Sequence, residues 1–230
     1  MKMKLSNETV TVLKNFSTIN QNLVIKEGTE LTTMSALKNI VARATVKDTF
    51  PQEVAIYDLN EFLSALSLFE EPELDFKEKF VVIRGKDKNN FLNYYYSDPS
   101  VVTSPKNTLT MPEPEVAFDL SSGKLAEVQR SAAVIGAPDM CLEAGDADWA
   151  LIKVTDKKNL ENHTFAVKVD VDTFGNNNPY KFWYKVENLK LLGGDYSIKM
   201  SSKRISHFSN KNVPIEYWIA LEAETSYNNS

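Results

Sequence analysis

The spacing of apolar residues near the start of the chain predicts an amphipathic helix. Between Leu5 and Asn20, apolar side chains recur every three or four positions, and Ser6 can cap the first turn. The predicted buried stripe consists of Leu5, Thr9, Val12, Leu13, Phe16 and Ile19. The opposite face is polar and basic, so the helix is expected to cover a core with one side only.

Segments rich in β-branched residues, separated by charged turns, follow this helix and favour antiparallel strands. A second helix interrupts them, with Asp58 as its N-cap and Glu61 in the capping-box position. The apolar stripe of this helix is predicted to be Leu59, Phe62, Leu63 and Leu66. The predicted strands are 22–26, 30–47, 54–57, 73–76, 80–84 and 90–96.

The same order of elements recurs in the second half of the chain. VAIYDLNEFLSAL at 54–66 and VAFDLSSGKLAEV at 116–128 both read as a strand, a junction containing aromatic-Asp-Leu, and a helix. Between them, residues 98–115 contain four prolines and no helical period, which is typical of an extended connector. We therefore expect one domain at 1–97, a connector at 98–115 and a similar domain at 116–230.

The third predicted helix is capped by Asp119 or Ser121, and a short fourth helix is expected from Glu187 to Leu192, ending at Gly193-Gly194. The third helix should bury Leu125, Val128, Ala132 and Ile135. Further strands are predicted at 140–144, 149–155, 164–171, 182–186, 196–200, 204–209 and 216–224. Four helix-plus-strand units, paired into two domains, give an α+β fold.

Composition limits the function classes. A hydrophobic fraction of 43% and a charged fraction of 25% are those of a globular protein. The one cysteine, Cys141, cannot form an internal disulfide, and no signal peptide or membrane span is apparent, so a cytosolic protein is expected. A net charge of −5 argues against a conventional basic DNA-binding domain, unless the cations are gathered on one face.

Catalytic and cofactor motifs are not apparent in the sequence. His163 and His207 stand outside any nucleophile motif, and Gly193-Gly194 lacks the Lys-Ser/Thr that completes a P-loop. The acid pairs at 146/148 and 170/172 are expected to be solvated rather than metal-binding. Because neighbouring strand residues face opposite ways, the three tyrosines at 94–96 cannot form one stacking platform. We expect neither an enzyme nor a cofactor.

Several segments resemble a known family: LSNETVTVLKNFSTIN at the start, VAIYDLNEFLSALSL, SDPSVVTSPKNTLTMP in the connector, and YWIALEAE near the end. They are similar to the sliding clamps of T-even-type tailed bacteriophages, most specifically in the first half. The resemblance thins between 139 and 185. It implies two clamp domains per chain and three chains closed head to tail, with helices lining a hole around duplex DNA.

The resemblance also implies a set of partners. These are sequence-independent duplex DNA, two further copies of the chain, the replicative DNA polymerase, an ATP-dependent clamp loader, and a sigma-like late-transcription factor with its co-activator. The expected location is the cytoplasm of the infected bacterial host. Trimer rather than dimer rests on the resemblance alone.

If the helices line a hole, their basic residues should face DNA and alternate with neutral polar groups. The residues expected to do so are Lys4, Lys14, Lys124, Arg130, Lys185 and Lys190. The alternative is that these are ordinary solvated helix faces. The second helix departs from the pattern, since its outer face carries no lysine.

Clamps of this family bind short partner peptides in an apolar pocket beside the connector. By position, the resemblance assigns that pocket to Leu109, Met111 and Pro112, with Val41 and Ile219 as walls. The alternative is that Leu109 and Met111 only fix the connector onto the sheet.

A rival function is a phage structural or assembly protein, rich in β-strands, that oligomerises without encircling DNA. The internal repeat and the recurring basic-polar helix face favour the clamp. An esterase-like or carbohydrate-active enzyme is a weaker rival, because no convergent acid-base pair is apparent.

Overall fold

The computed structural model describes residues 2–87, 89–105, 109–146, 148–159 and 161–228. The chain forms two compact units, Met1–Thr108 and Leu109–Ser230. The division falls inside the Pro-containing stretch that is predicted to be the connector.

The first unit carries two α-helices among its described residues, α1 (Asn7–Ile19) and α2 (Leu59–Ser67). A short 3-10 turn follows at Pro99–Val101. The strands are β1 (Lys2–Lys4), β2 (Leu23–Ile25), β3 (Gly28–Met34), β4 (Ile40–Phe50), β5 (Val54–Ile56), β6 (Glu73–Phe76), β7 (Phe80–Arg84) and β8 (Phe91–Tyr95). The predicted segment 30–47 is therefore two strands, because the chain turns sharply where Lys38 adopts a positive φ of 58°.

Antiparallel pairing arranges these strands into one four-stranded sheet, in the order β1-β6-β7-β8, and the smaller pairs β3-β4 and β2-β5. The helix α1 packs on β3, β4 and α2. Its buried residues are Thr9, Val12, Leu13, Phe16 and Ile19, as predicted except for Leu5, which precedes the helix and is half-buried.

A carboxylate from β4 fixes the start of α1. Ser6 is the predicted N-cap, and its side chain accepts a hydrogen bond from the backbone N–H of Thr9. One oxygen of Asp48 accepts hydrogen bonds from the Ser6 backbone N–H (2.8 Å), the Ser6 hydroxyl (2.7 Å) and the Thr9 hydroxyl. Burial opposes ionisation of Asp48, but these three donors outweigh it and lower its pKa. The helix is thereby anchored to the sheet.

Capping also determines α2. Asp58 accepts hydrogen bonds from the backbone N–H groups of Asn60 (2.9 Å) and Glu61 (3.1 Å), which confirms the predicted cap. The buried residues are Leu59, Phe62, Ala65 and Leu66, while the predicted Leu63 is only half-buried.

The second unit carries one α-helix among its described residues, α3 (Ser122–Ile135), and a 3-10 turn at Val186–Asn188. Its strands are β9 (Val116–Leu120), β10 (Asp139–Asp146), β11 (Trp149–Thr155), β12 (Phe165–Asp170), β13 (Tyr180–Lys185), β14 (Tyr196–Ser201), β15 (Ile205–Asn210), β16 (Ile215–Ala220) and β17 (Ser226–Tyr227). They form the sheet β12-β11-β10-β13-β17 and the run β9-β14-β15-β16.

The two units repeat one order of elements. Each begins with a strand and a helix and continues with four strands, a helical segment and three further strands, of which the first pairs with the opening strand. The second unit has β17 in addition. The order β1-β6-β7-β8 of the first unit therefore corresponds to β9-β14-β15-β16 of the second. The predicted internal similarity of the chain is visible in its topology.

The predicted fourth helix is wrong as an α-helix. Only the 3-10 turn at Val186–Asn188 forms there, and it has no side-chain cap, whereas Asp58 caps α2 at the corresponding place in the first unit. A short helix without a cap has too few internal hydrogen bonds to offset the cost of its first turn. By contrast, α3 has Ser121 as its cap and ends at Gly136, whose φ of 64° suits glycine.

Aromatic residues fill the core of the second unit. Tyr184 and Tyr196 both contact Phe208 edge-on, with ring centroids 6.1 and 6.2 Å apart, and Tyr196 lies 6.3 Å from Tyr217. These rings are essentially inaccessible to solvent. The helix α3 packs on β11 and β12 through Leu125, Val128 and Ala132, whereas the predicted Ile135 is only half-buried.

Replacing Asp48 with alanine should lower the free energy of unfolding by about 2 kcal/mol at pH 7, because three donors at the start of α1 are deprived of a charged acceptor. The folded-state pKa of Asp48 is lowered, so its contribution to stability is complete above about pH 4, which is the pKa of an aspartate in the unfolded chain. This contribution is lost as the pH falls through the folded-state pKa. Urea unfolding of both proteins between pH 7 and pH 3 should show the difference shrinking below pH 4. Glu53→Ala, which removes an exposed acid, is the control. An equal destabilisation of both variants would contradict the role of Asp48.

Candidate functional site

The exposed face of α1 presents one basic group, Lys14, among neutral polar side chains. The Thr11 hydroxyl donates to the carbonyl of Asn7 and the Thr18 hydroxyl to that of Asn15, each at 2.7 Å. Both hydroxyl donors are thus satisfied within the helix. Lys14 has no ion pair within the described ranges, so its charge is available to a partner.

Lys4 does not belong to α1 as predicted, since it lies on β1. Its Nζ is 2.9 Å from Glu71 Oε2, and Lys86 Nζ is 3.7 Å from the other oxygen of the same carboxylate. The hydrogen bond from Lys4 lowers the pKa of Glu71. The charge of Lys4 is therefore shared with an acid.

The two cations expected on α3 have different surroundings. Both Lys124 and Arg130 are exposed. Lys124 Nζ donates to the carbonyl of Lys168 at 3.2 Å, beside a groove of about 500 Å³ whose lining includes the acids Asp119, Asp170 and Asp172. Arg130 has no ion pair in the part of the chain that the structure describes. Arg130 is the better placed of the two for an anion.

Lys185 is held in an ion pair with a buried acid. Its Nζ lies 2.6 Å from Asp139 Oδ1, a side chain that is 1% exposed, and this hydrogen bond raises the pKa of Lys185. Lys185 pairs with Asp139 across the sheet, whereas Tyr184 pairs with Met140. Because strand neighbours alternate, Lys185 points away from the buried face on which Tyr184 lies and α3 packs. Lys190, beyond the 3-10 turn, is half-buried.

The outer face of α2 is polar and includes the acid Glu61. The Ser67 hydroxyl donates to the carbonyl of Ser64 at 2.7 Å. As the sequence predicts, none of the residues of α2 is a lysine or an arginine.

The residues assigned to a partner-peptide pocket differ in exposure. Leu109 is 37% exposed, and Met111 and Pro112 are half-buried. Val41, on β4, is buried, and Ile219, on β16, has no exposed surface. The first three can meet a partner directly, whereas Val41 and Ile219 are covered by their own surroundings. Lys106, Asn107 and Thr108 of the predicted connector lie outside the described residues.

Two family models match the chain, one in each half. A model of a DNA polymerase processivity factor matches residues 4–103, and one described as the C-terminal part of the gp45 sliding clamp matches residues 117–223. The sliding clamp of Vibrio phage KVP40 is 37% identical over 228 residues, which cover 96% of this chain and 100% of that relative. The chain belongs to the sliding clamp family.

Other sliding clamps match over the same length. Those of Enterobacteria phage T4 and Escherichia phage RB69 are 23% and 26% identical, each over 98% of this chain and 99% of the relative. Among solved structures, the proliferating cellular nuclear antigen of Entamoeba histolytica shares 10% identity with a TM-score of 0.68, covering 96% of this chain and 97% of that one. The A. fulgidus PCNA, bound to the C-terminal region of FEN-1, shares 11% identity with a TM-score of 0.71, over 98% and 99% of the two chains. These structures establish the clamp fold.

Cys141 and His207, two side chains of chemically reactive types, are packed against other residues of this clamp. Cys141 is buried, and burial raises the pKa of its thiol to about 12. His207 Nε2 lies 2.6 Å from Glu216 Oε2, and its ring contacts that of Trp218 at an interplanar angle of 33°, with centroids 4.9 Å apart. Tyr95 is 67% exposed while Tyr94 is buried, which confirms that consecutive tyrosines of β8 face opposite ways.

The described ranges of this sliding clamp contain neither a cluster of metal-ligating side chains nor a helix that could span a membrane. No group of three or more His, Cys, Asp or Glu side chains there is arranged to hold a metal ion. None of the helices in those ranges has the length and apolar character needed to cross a bilayer.

The pairing of Lys4 and Lys185 with acids is not apparent in the sequence. The partner of Lys185 is 46 residues away, and that of Lys4 is 67 residues away. Pairing of β13 with β10 places Lys185 opposite Asp139, and pairing of β1 with β6 brings Lys4 near Glu71, which lies just before β6. Local composition does not reveal which strands pair or in what register. Lys4 and Lys185, two of the predicted DNA-facing cations, are thus paired with acids within the protein.

Proposed function

We propose that this sliding clamp closes into a homotrimeric ring around duplex DNA and holds the replicative DNA polymerase there. The observation that carries the proposal is a cation with no ion pair among the described residues on the outer face of the first helix of each unit, Lys14 on α1 and Arg130 on α3. Helices in equivalent places of a repeat present equivalent faces when the repeats are arranged around an axis. Six such helices per trimer would line one hole.

A closed ring explains how a chain of net charge −5 can act on DNA. Topological linkage needs no tight binding, only a lining that does not repel phosphate. A few unpaired cations, separated by hydroxyl and amide groups, give weak and sequence-independent contacts. Lys14 and Arg130 are the principal DNA-facing residues, and Lys124 and Lys190 are secondary. Lys4, being paired with an acid, contributes less, and Lys185 points away from the face on which α3 packs, so it lies outside the proposed lining.

Ring closure requires an edge strand, and β8 has the geometry of one. It ends the four-stranded sheet, with β7 as its neighbour. The backbone N–H of Tyr96, just beyond β8, donates to the carbonyl of Lys79. Because backbone groups alternate in direction along a strand, Tyr94 and Leu92 also direct theirs towards β7. The backbone groups of Phe91, Asn93 and Tyr95 therefore point to the open edge.

A complementary edge is available on β12, which ends the five-stranded sheet. The backbone N–H of Val171 donates to the carbonyl of Asp148, so by the same alternation Ala166, Lys168 and Asp170 direct their backbone groups away from β11. The outward carbonyl of Lys168 accepts from Lys124 Nζ, which would have to move aside for a neighbouring strand to pair there. We infer that β8 of one subunit pairs with β12 of the next. This is a head-to-tail contact, which closes into a ring when the rotation allows.

Partner binding is proposed at the apolar residues Leu109, Met111 and Pro112 of the second unit. The A. fulgidus structure, in which a PCNA is bound to the C-terminal region of another protein, supports recognition of peptide tails in this fold. A separate ATP-dependent loader would open the ring, and late-transcription factors would use the same pocket. The clamp acts in the cytoplasm of the infected host and carries out no chemical step itself.

Changing Lys14 and Arg130 together to glutamate should release the clamp from nicked circular DNA several-fold faster, because two phosphate contacts per subunit become repulsions. The dependence of retention on salt concentration should also weaken, by about one unit of slope for each cation that no longer meets a phosphate. Retention is measured by gel filtration of loaded DNA at several salt concentrations.

The matched control is Lys26→Glu with Lys158→Glu, which makes the same change in net charge at exposed lysines outside α1 and α3. The control should stay on DNA as the wild type does. Equally fast release of both double variants would assign the effect to net charge and reject the proposed lining.

Light scattering at several concentrations should give a mass near three times 26.0 kDa. Asn93→Pro should shift the assembly towards monomer, since it removes an outward N–H at the edge while leaving the bonds between β8 and β7 intact. A trimer of unchanged stability in this variant would exclude pairing through β8, and a wild-type monomer at high concentration would exclude the ring.

Replacing Leu109 and Met111 with alanine should reduce stimulation of the polymerase about tenfold, because each truncation removes apolar area from an interface. The mass and the DNA retention should not change. Leu68→Ala with Val101→Ala, at side chains that are 70% and 57% exposed, is the control. Undiminished stimulation would show that the partner binds elsewhere.

A further inference from the structure

Phe174 has an unusual backbone conformation for an aromatic residue. Its φ is 53°, in the left-handed region, and Gly175 follows with a φ of 82°. A bulky side chain is rarely found there unless its surroundings impose it. The ring is nevertheless 50% exposed, so burial of the side chain does not explain the conformation.

Polar contacts on both sides hold this turn between β12 and β13. Asp172 Oδ1 accepts a hydrogen bond from the Phe174 backbone N–H at 2.8 Å, and the Asn176 backbone N–H donates to the carbonyl of Thr173 at 3.0 Å. Thr173 itself is buried. The exposed ring is thus presented on a fixed turn rather than on a free loop.

The ring forms one wall of a groove of about 470 Å³ in the second unit. We call it the Phe174 groove, and its lining residues are Glu113, Pro114, Glu115, Phe174, Asn176 and Lys203. Both carboxylate oxygens of Glu115 are held, because one accepts from the Ser202 backbone N–H at 2.8 Å and the other from the Ser202 hydroxyl. Its negative charge therefore has a fixed position at the groove.

Glu113 adds a second negative charge. Its side chain is exposed and has no ion pair within the described ranges, so it is free to approach a ligand. An aromatic face next to fixed and mobile carboxylates attracts a cation through the ring quadrupole and through charge together. Lys203 is the one opposing charge in the lining, and its long side chain can swing into solvent.

We propose that the Phe174 groove binds an arginine or lysine side chain carried on an extended segment of a partner protein. A guanidinium stacks on the Phe174 ring and pairs with Glu113 and Glu115. Nucleic acid is disfavoured, because its phosphates would meet two carboxylates. The groove is distinct from the face of α3 that carries Arg130, and its binding requires neither DNA nor ring closure.

The test uses the full chain labelled with ¹⁵N-glycine, so that the amide signal of Gly175, one of eight glycines, reports on the groove. The probe is an acetylated and amidated pentapeptide with a central arginine between glycines. A second peptide has citrulline in place of arginine, which keeps the shape and removes the charge. The Gly175 signal should shift saturably with the arginine peptide, and the citrulline peptide should bind about fivefold more weakly or less.

Variants of the lining should move the affinity in opposite directions. Phe174→Gly relieves the backbone strain and therefore folds, yet it should weaken arginine binding about fivefold. Glu113→Gln should also weaken it, whereas Lys203→Gln should strengthen it, and both effects should diminish at high salt. Tyr57→Ala, at an aromatic side chain that is 61% exposed in the first unit, should leave binding unchanged.

Four results would overturn the proposal. They are no shift of Gly175 with the arginine peptide, equal binding of the citrulline peptide, undiminished binding by Phe174→Gly, and a Gly175 shift with a short duplex DNA instead. The mass and the DNA retention of Phe174→Gly should match those of the wild type. A failure of the groove proposal would therefore not count against the proposed clamp function.

Discussion

The burial of one apolar stripe on α1 and on α3 is the constraint on which the rest of this clamp depends. Each fully buried leucine, valine or phenylalanine on these helices contributes about 1.5–3 kcal/mol, whereas a surface ion pair contributes about 1 kcal/mol or less. Rotating either helix to improve a charge contact would therefore cost more than it could gain. The positions of Lys14 and Arg130 follow from the residues buried beneath them, Leu13 and Phe16 on α1 and Val128 on α3.

Local chemistry accounts for the features that the sequence predicts well. Ser6, Asp58 and Ser121 are predicted as helix caps, with Asp119 as an alternative to the last, because capping needs only a short polar side chain and the backbone three residues ahead. The repeat is also predictable, since strand and helix periods recur in both halves of the chain.

Features set by distant residues are not predictable in the same way. The acid partner of Lys185 comes from another strand, and the missing fourth helix reflects the absence of a cap in a segment that is otherwise apolar enough. The left-handed conformation of Phe174 cannot be predicted either, because phenylalanine is an improbable residue for it. For the predicted site residues, the sequence shows which side chains are cationic or apolar. It does not show which of them are bonded to neighbouring residues in the fold.

The net charge of the chain is a poor guide to the field at any one surface. Glu71, Glu73 and Glu143 each lie within 3 Å of a lysine nitrogen, so these acids are largely compensated where they stand. At physiological salt, charges more than about 8 Å apart on the surface are strongly screened. A cation on α1 thus acts on a nearby phosphate almost independently of acids elsewhere, and an acidic protein can present a locally neutral or basic surface.

The open edge of β8 also affects how much folded protein accumulates. Phe91 and Tyr95 are 59% and 67% exposed on a strand whose outward backbone groups have no neighbour within its sheet. Such a strand is a template for any extended chain, including an unfolded copy of the same protein. A subunit made in excess, or left alone after disassembly, is therefore a substrate for aggregation and proteolysis. Substitutions that weaken the proposed pairing of β8 with a neighbouring subunit would lower the yield of folded protein before they altered replication. Reduced abundance would therefore be their first effect.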